Sequence, residues 1–267
     1  MNVLGTQVRD GAAAERAVII SDLHVQDVRD RACASLSLAV DYAHENADAL
    51  FVLGDLFDSY VSSAQVRVGV WRYVAEGFAA AAARGLRVVM LVGNRDFLLG
   101  REFVAASGVE LVHGGYRASI GGVDTLLLHG DELCQNDLPY QRAKRWLRHP
   151  WTRGVARRLP LSLARRAAAR ARQKSSRVVR SGDQTRFLPS QRAVEAAFAS
   201  GAQRLIFGHI HRHAAGGFGD AEYRVLPAFD ERPVGLDVGP GRCVPICFAA
   251  ADSAAPVEPP QPCPWSP

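Results

Sequence analysis

The stretch AVIISDLH, residues 17–24, decides how the rest of the chain is read. Ala17, Val18, Ile19 and Ile20 form an apolar run of strand length, rich in β-branched residues, and it stops at Ser, Asp, Leu and His. The same pattern returns in DALFVLGDLFD (48–58), RVVMLVGNRD (87–96), DTLLLHGDE (124–132) and RLIFGHIHR (204–212). Ala-rich segments of helical character, 31–45 and 65–84, lie between the early runs. This alternation predicts a layered α/β fold rather than an all-β or all-α one. In such folds functional groups gather beyond the carboxyl ends of strands, where all five runs present Asp, Asn or His.

Composition narrows the class. The 267 residues are 48% hydrophobic and 22% charged, which fits one large α/β domain or one domain with an insertion. No apolar run reaches the ~18–20 residues that span a bilayer. MNVLGTQVRDGAAAERA (1–17) lacks the apolar stretch of a signal peptide, so a cytoplasmic location is expected. Five scattered cysteines without CxxC pairs argue against a disulfide framework or a zinc ribbon.

The net charge of +5 hides an uneven distribution. Residues 141–180 carry 14 Lys or Arg and no Asp or Glu, and the other 227 residues carry 18 basic and 27 acidic side chains, a net of −9. Trp146, Trp151, Val155 and Leu159 are spaced to line one side of a helix within this segment, and Leu159-Pro160 ends or kinks it. A second helix is expected from about 161 to 174. Residues 141–183 therefore read as a basic helical insertion in a core formed by 1–140 and 184–250. The Pro-rich 251–267 read as a disordered tail. A basic amphipathic segment bearing tryptophan suits an anionic membrane surface or phosphates. It carries no base-reading module, so no nucleic-acid partner is expected.

The strand ends supply Asp22, His24, Asp55, Asn94, His129, His209 and His211. Carboxylates, imidazoles and an amide oxygen are the mixed ligands of Mn²⁺, Fe²⁺ or Zn²⁺. In Asp22-Leu23-His24 and His209-Ile210-His211, alternate residues share one side of extended chain and can converge on one cation. The two oxygens of Asp55 can bridge a pair of metals. An Asp after a strand is by itself usually a helix cap, and a lone His usually a structural residue. Five segments ending the same way, in order, point instead to a dinuclear centre. Arg95 beside Asn94 is placed to stabilise extra negative charge on a phosphorus, with an ion pair to Asp96 as the structural alternative.

D-x-H, GDxxD, GN-R-D, HGD and GHxH, in that order over residues 17–212, resemble the calcineurin-like metallophosphoesterase superfamily. The resemblance implies a four-layer α/β/β/α sandwich with a two-metal site at the sheet edge. It implies that Asp22, His24, Asp55 and His211 hold one metal and that Asp55, Asn94, His129 and His209 hold the other. GNRDFLLG (93–100), GDLFD (54–58), HGDELC (129–134) and the loop from Asp137 to Tyr140 are similar, more narrowly, to the UDP-2,3-diacylglucosamine pyrophosphatases of lipid A biosynthesis. Those enzymes carry a basic helical insertion after this loop.

That likeness implies Mn²⁺-dependent hydrolysis of UDP-2,3-diacylglucosamine to 2,3-diacylglucosamine 1-phosphate (lipid X) and UMP, with two Mn²⁺ or other divalent transition metals. Arg95 and Asn94 are the expected catalytic residues, and Arg95, Asp137, Tyr140, Lys174, Ser175 and His209 the expected substrate contacts. The protein is expected to act as a monomer, peripherally associated with the cytoplasmic face of the inner membrane. The alternative is a phosphodiesterase or nucleotide pyrophosphatase with a soluble substrate.

Overall fold

In the computed structural model the five runs become strands and divide between two sheets. The structure describes residues 1–147, 151, 152, 154, 163, 166, 184–249, 259–263 and 265. The strands among them, in chain order, are β1 (Asn2–Val3), β2 (Thr6–Asp10), β3 (Ala17–Ile20), β4 (Ala49–Val52), β5 (Arg87–Leu91), β6 (Glu110–Val112), β7 (Gly115–Ile120), β8 (Val123–Leu127), β9 (Arg204–Phe207), β10 (Ala214–Phe218), β11 (Ala221–Val225), β12 (Val234–Gly239) and β13 (Arg242–Cys247). One sheet runs β13-β12-β3-β4-β5-β6 and the other β1-β2-β7-β8-β9-β11-β10. The β3–β4–β5–β6 block and the β8–β9 pair are parallel, so their carboxyl ends open on one edge of each sheet.

The period-2 alternation of strands sorts the core into three layers. Val18, Ile20, Leu50, Val52, Val88 and Met90 meet the helices α1 (Arg31–Asn46), α2 (Gly69–Ala83) and α3 (Arg101–Ser107). Their neighbours Ile19, Phe51, Val89 and Leu91 point the other way and meet Tyr116, Ile120, Leu127 and Ile206 between the sheets. On the far side Leu126, Leu128, Leu205 and Phe207 pack with Ala193, Val194 and Ala197 of a later helix, Gln191–Phe198. The order is helix, sheet, sheet, helix, the α/β/β/α sandwich that the motif order implies. The helices expected at 31–45 and 65–84 are α1 and a 3₁₀ turn, Ser63–Arg67, followed by α2.

Helix α4 (Leu138–Leu147) opens the basic segment; with it introduced, Gln191–Phe198 is α5. Trp146 is 64% and Trp151 73% exposed. Val155, Leu159, Leu161, Lys174 and Ser175, with most of 148–183, lie outside the described residues. Among the described residues no helix is long and apolar enough to cross a membrane.

The C-terminal residues depart from expectation. Gln261 pairs in parallel with Ala214, Cys263 is buried, and the Trp265 ring meets Tyr223 edge-on at 4.8 Å. Pro259, Pro260 and Pro262 pre-set an extended backbone and lower the entropy lost on docking. Cys263 and Trp265 supply the apolar contact that holds it.

Candidate dinuclear metal centre

Apart from Leu4, the non-glycine residues with positive φ among the described residues are Asp22 (55°), His24 (48°), Asp55 (52°), His209 (69°) and His211 (53°). Left-handed backbone at non-glycine residues is strained and concentrates at functional sites. Here it falls on five of the seven residues expected to bind metal. The strain is held by cross-connections between strand ends: Asp22 N donates to Gly54 O (3.2 Å), His24 N to Asp55 O (3.0 Å) and His209 N to the Asp22 carboxylate (2.7 Å). Two glycines make the approach possible. A Cβ on Gly93 would stand 2.1 Å from Asp55 Oδ1, and one on Gly208 2.2 Å from Asp22 Oδ2.

These turns gather all seven residues at one edge, Asp22, His24, Asp55 and Asn94 from one sheet and His129, His209 and His211 from the other. His24 Nε2 lies 3.6 Å from Asp55 Oδ2, and His211 Nε2 3.7 Å from Asp22 Oδ1. His129 Nε2 lies 3.9 Å from Asp55 Oδ1 and 3.0 Å from Asn94 Oδ1. The rings of His24 and His211, and those of His129 and His209, are each 5.0 Å apart. Asp55 thus turns one oxygen to each half of the cluster. Potential ligand atoms of Asp22, His24 and His211, and of Asp22, Asp55 and His129, fall within 4.8 Å of one another in each group.

The chemistry of the donors fits cations. Asp22 Oδ1 and His24 Nε2 are buried with no hydrogen-bond partner, a costly arrangement for polar atoms that a metal would relieve. His129 Nδ1 donates to Leu53 O (2.8 Å) and His24 Nδ1 to Asp230 Oδ2 (3.2 Å), which turns each Nε2 toward the cluster. Burial disfavours a proton on His24, but Asp230 and Asp55 outweigh it and push its pKa up to about 9. The same negative charge favours a divalent cation. Burial and then the charge of His129 push His209 down to about 4, so it is neutral and ready to ligate. Burial also raises the Asp55 carboxyl, yet His129, His24 and Arg95 overcome it and hold the group well below the carboxylate range.

Arg95 sits at the rim. Its Nη1 donates to Asp58 Oδ1 (2.7 Å), Nε lies 3.5 Å from Asp55 Oδ2, and its backbone N donates to Asp55 Oδ1 (2.8 Å). The alternative ion pair with Asp96 is not formed. Asp96 is buried and accepts instead from Gly93 N and Leu56 N, both at 2.8 Å, pinning the turns after β4 and β5. Tyr140 stacks on His209 at 6.2 Å and donates to Asp131 Oδ2 (2.6 Å), while Asp137 accepts from Tyr140 N (3.4 Å) in the first turn of α4.

Sequence reasoning missed Asp58, Asp131, Glu132, Lys144 and Asp230. Asp58 lies inside the quoted GDLFD, three residues after Asp55, and that spacing gave no sign of its partner Arg95. Lys144 of α4 reaches Asp131 (2.9 Å) and Glu132 (3.5 Å), tying the helix to the loop behind His129.

The sequence profile of the calcineurin-like phosphoesterases matches residues 15–213. A UDP-2,3-diacylglucosamine hydrolase of Azotobacter vinelandii (strain DJ) is 36% identical over 199 residues, 74% of this chain and 82% of that protein. A UDP-2,3-diacylglucosamine hydrolase of Aeromonas salmonicida (strain A449) is 36% identical over 198 residues, 74% and 78% of the two chains. An archaeal phosphodiesterase of known structure aligns over 87% of this chain and 99% of its own, at 13% identity and a TM-score of 0.45.

Proposed function

Because the chain belongs to the calcineurin-like phosphoesterase family, we propose that it hydrolyses the pyrophosphate bond of UDP-2,3-diacylglucosamine, giving 2,3-diacylglucosamine 1-phosphate and UMP with two Mn²⁺ ions. The observation that carries this reading is the 36% identity to hydrolases named for that substrate, over 199 and 198 residues, 74% of this chain. The Arg in GNRD, anchored at the rim of the ligand cluster, supports it.

Asp22, His24, Asp55 and His211 would hold one cation, and Asp55, Asn94, His129 and His209 the other. Bound cations supply Lewis-acid chemistry, acidifying water and neutralising phosphoryl oxygens. The chain's own residues do the rest. Leu53 O accepts from His129 Nδ1 and Asp230 from His24 Nδ1, so both imidazoles would offer Nε2 to the cations once its proton is displaced. Arg95, held from behind by Asp58, presents a fixed cation to the pyrophosphate and to the charge that grows as the P–O bond breaks. The departing UMP is itself a phosphate and needs less protonation than an alkoxide would. Tyr140, stacked on His209, and Asp137, at the head of α4, border the route by which a nucleotide reaches the metals.

The insertion at 141–183 is proposed as a lid that receives the acyl chains, with Lys174 and Ser175 contacting the head group. Exposed Trp146, Trp151 and Leu163 among its cations support an anionic lipid interface, and with it a peripheral position on the inner membrane's cytoplasmic face.

The test is an Mn²⁺-supported assay with detergent-dispersed UDP-2,3-diacylglucosamine. Wild type is expected to turn over, Asp55→Ala to fall to background, and Arg95→Ala to lose roughly 10²–10³-fold in kcat, the size of a lost transition-state donor. Full activity of Asp55→Ala would end the two-metal reading. Hydrolysis of soluble diesters with no turnover of the lipid nucleotide would replace the substrate by a soluble one. Unchanged lipid turnover after excision of residues 145–175 would remove the acyl-chain role of the insertion.

A further inference from the structure

The loop 208–213 carries two of the proposed ligands, and both have left-handed backbone. Upstream it is well anchored: Gly208 N donates to His129 O (2.9 Å), His209 N to the Asp22 carboxylate (2.7 Å) and Ile210 N to Gly208 O (2.8 Å). Downstream of His211 the chain enters β10, the outermost strand of its sheet, whose sequence AAGGF contains Gly216 and Gly217. Two adjacent glycines make a weak strand, since glycine has the most backbone entropy to lose and no side chain to pack. Pairing with β11 on one side is all the sheet itself gives β10.

The other side is filled by the C-terminal residues. Gln261 N donates to His213 O (3.1 Å) and Ala215 N donates to Gln261 O (3.0 Å), so one residue of the tail brackets the junction between the ligand loop and β10. The tail is fastened a few residues on: Cys263 N donates to Tyr223 OH (3.1 Å), Cys263 is buried, and Trp265 meets the Tyr223 ring edge-on. Tyr223 lies in β11, so the clasp closes over β10 from its own neighbouring strand. The family profile ends at residue 213, and the tail lies beyond it.

We propose that residues 259–263 and 265 form a strap that positions His211 for metal binding, by holding the start of β10 against the pull of a strained loop. This rests on the two-metal reading above. Gln261 and Trp265 are positioning residues, 50 or more positions from the ligand they serve. The affinity of the cation held by His211 then depends on the strap, while the fold as a whole does not.

The test is Mn²⁺ titration of the full-length protein, followed by electron paramagnetic resonance and calorimetry, with thermal unfolding of the metal-free forms alongside. Gln261→Pro removes the N–H that reaches His213, along with the side-chain amide, and keeps the extended backbone and the carbonyl that accepts from Ala215 N; Trp265→Ala removes the fastening; His211→Ala is the control for the site. Both strap variants are expected to lose roughly tenfold in affinity for one of two Mn²⁺ ions, the usual scale of an outer-shell loss. Their metal-free melting is expected to be unchanged, and their activity restored at saturating Mn²⁺. Wild-type Mn²⁺ affinity in both strap variants, with His211→Ala weakened, would overturn the strap and leave the metal centre standing. Wild-type affinity in His211→Ala would overturn the metal assignment and the strap with it. A fall in melting temperature without a change in Mn²⁺ affinity would make the tail a structural patch and overturn the proposal.

Discussion

At the scale of single residues, the proposed ligand His24 is braced by Asp230, which meets its Nδ1 at 3.2 Å. Asp22, His24, Asp55, Asn94, His129, His209 and His211 each follow an apolar run, and a strand end is a place the sequence marks. Asp230 has no such mark, for it lies in PAFDERPVG, between segments that glycine and proline interrupt. Its pairing with His24, 206 positions away, is created only by the fold. Replacing Asp230 by Asn is expected to weaken Mn²⁺ binding about 10–100-fold, because His24 loses the carboxylate that fixes its tautomer. Calorimetric titration against wild type checks this, and an unchanged affinity would show that Asp230 does not act on the centre.

At the scale of elements, the five strands follow from β-branched apolar runs and the helices α1 and α2 from the Ala-rich segments between them, whereas β10–β13 carry no such mark. AAGGF and VGLDVG break their alternation with glycine, so their pairing is decided by neighbouring strands. Helix α4 is a third case. Its basic character was evident, but its charge is not wholly solvated: Lys144, 11% exposed in its side chain, faces the fully buried Asp131. Lys144→Met would leave Asp131 and Glu132 without that ammonium. The expected cost is about 3 kcal/mol, the scale of a broken buried pair, read as a lower urea midpoint at unchanged slope. A cost below about 0.5 kcal/mol would place the pair with exposed ones.

At the scale of the whole molecule, alternation reveals that both faces of a strand are apolar without saying which sheet it joins. The two-sheet arrangement came from the order of the motifs, not from their periodicity. Phe51, fully buried between the sheets, bears on both, and Phe51→Ala is expected to destabilise the protein by ~3–5 kcal/mol, measured by chemical denaturation. The strand-end residues have a related consequence. Each proposed cation would take ligands from both sheets, so metal would tie together two layers that, among the described residues, meet mainly through packed side chains. Chelation should therefore be read out in hydrogen exchange as well as in turnover. Amides of β3 and of β9, which share no backbone hydrogen bond, are expected to lose protection together when metal is withdrawn and to regain it together when metal returns. Exchange confined to one sheet would mean that the cations sit on a single layer, and that the rivet between the two is the hydrophobic core alone.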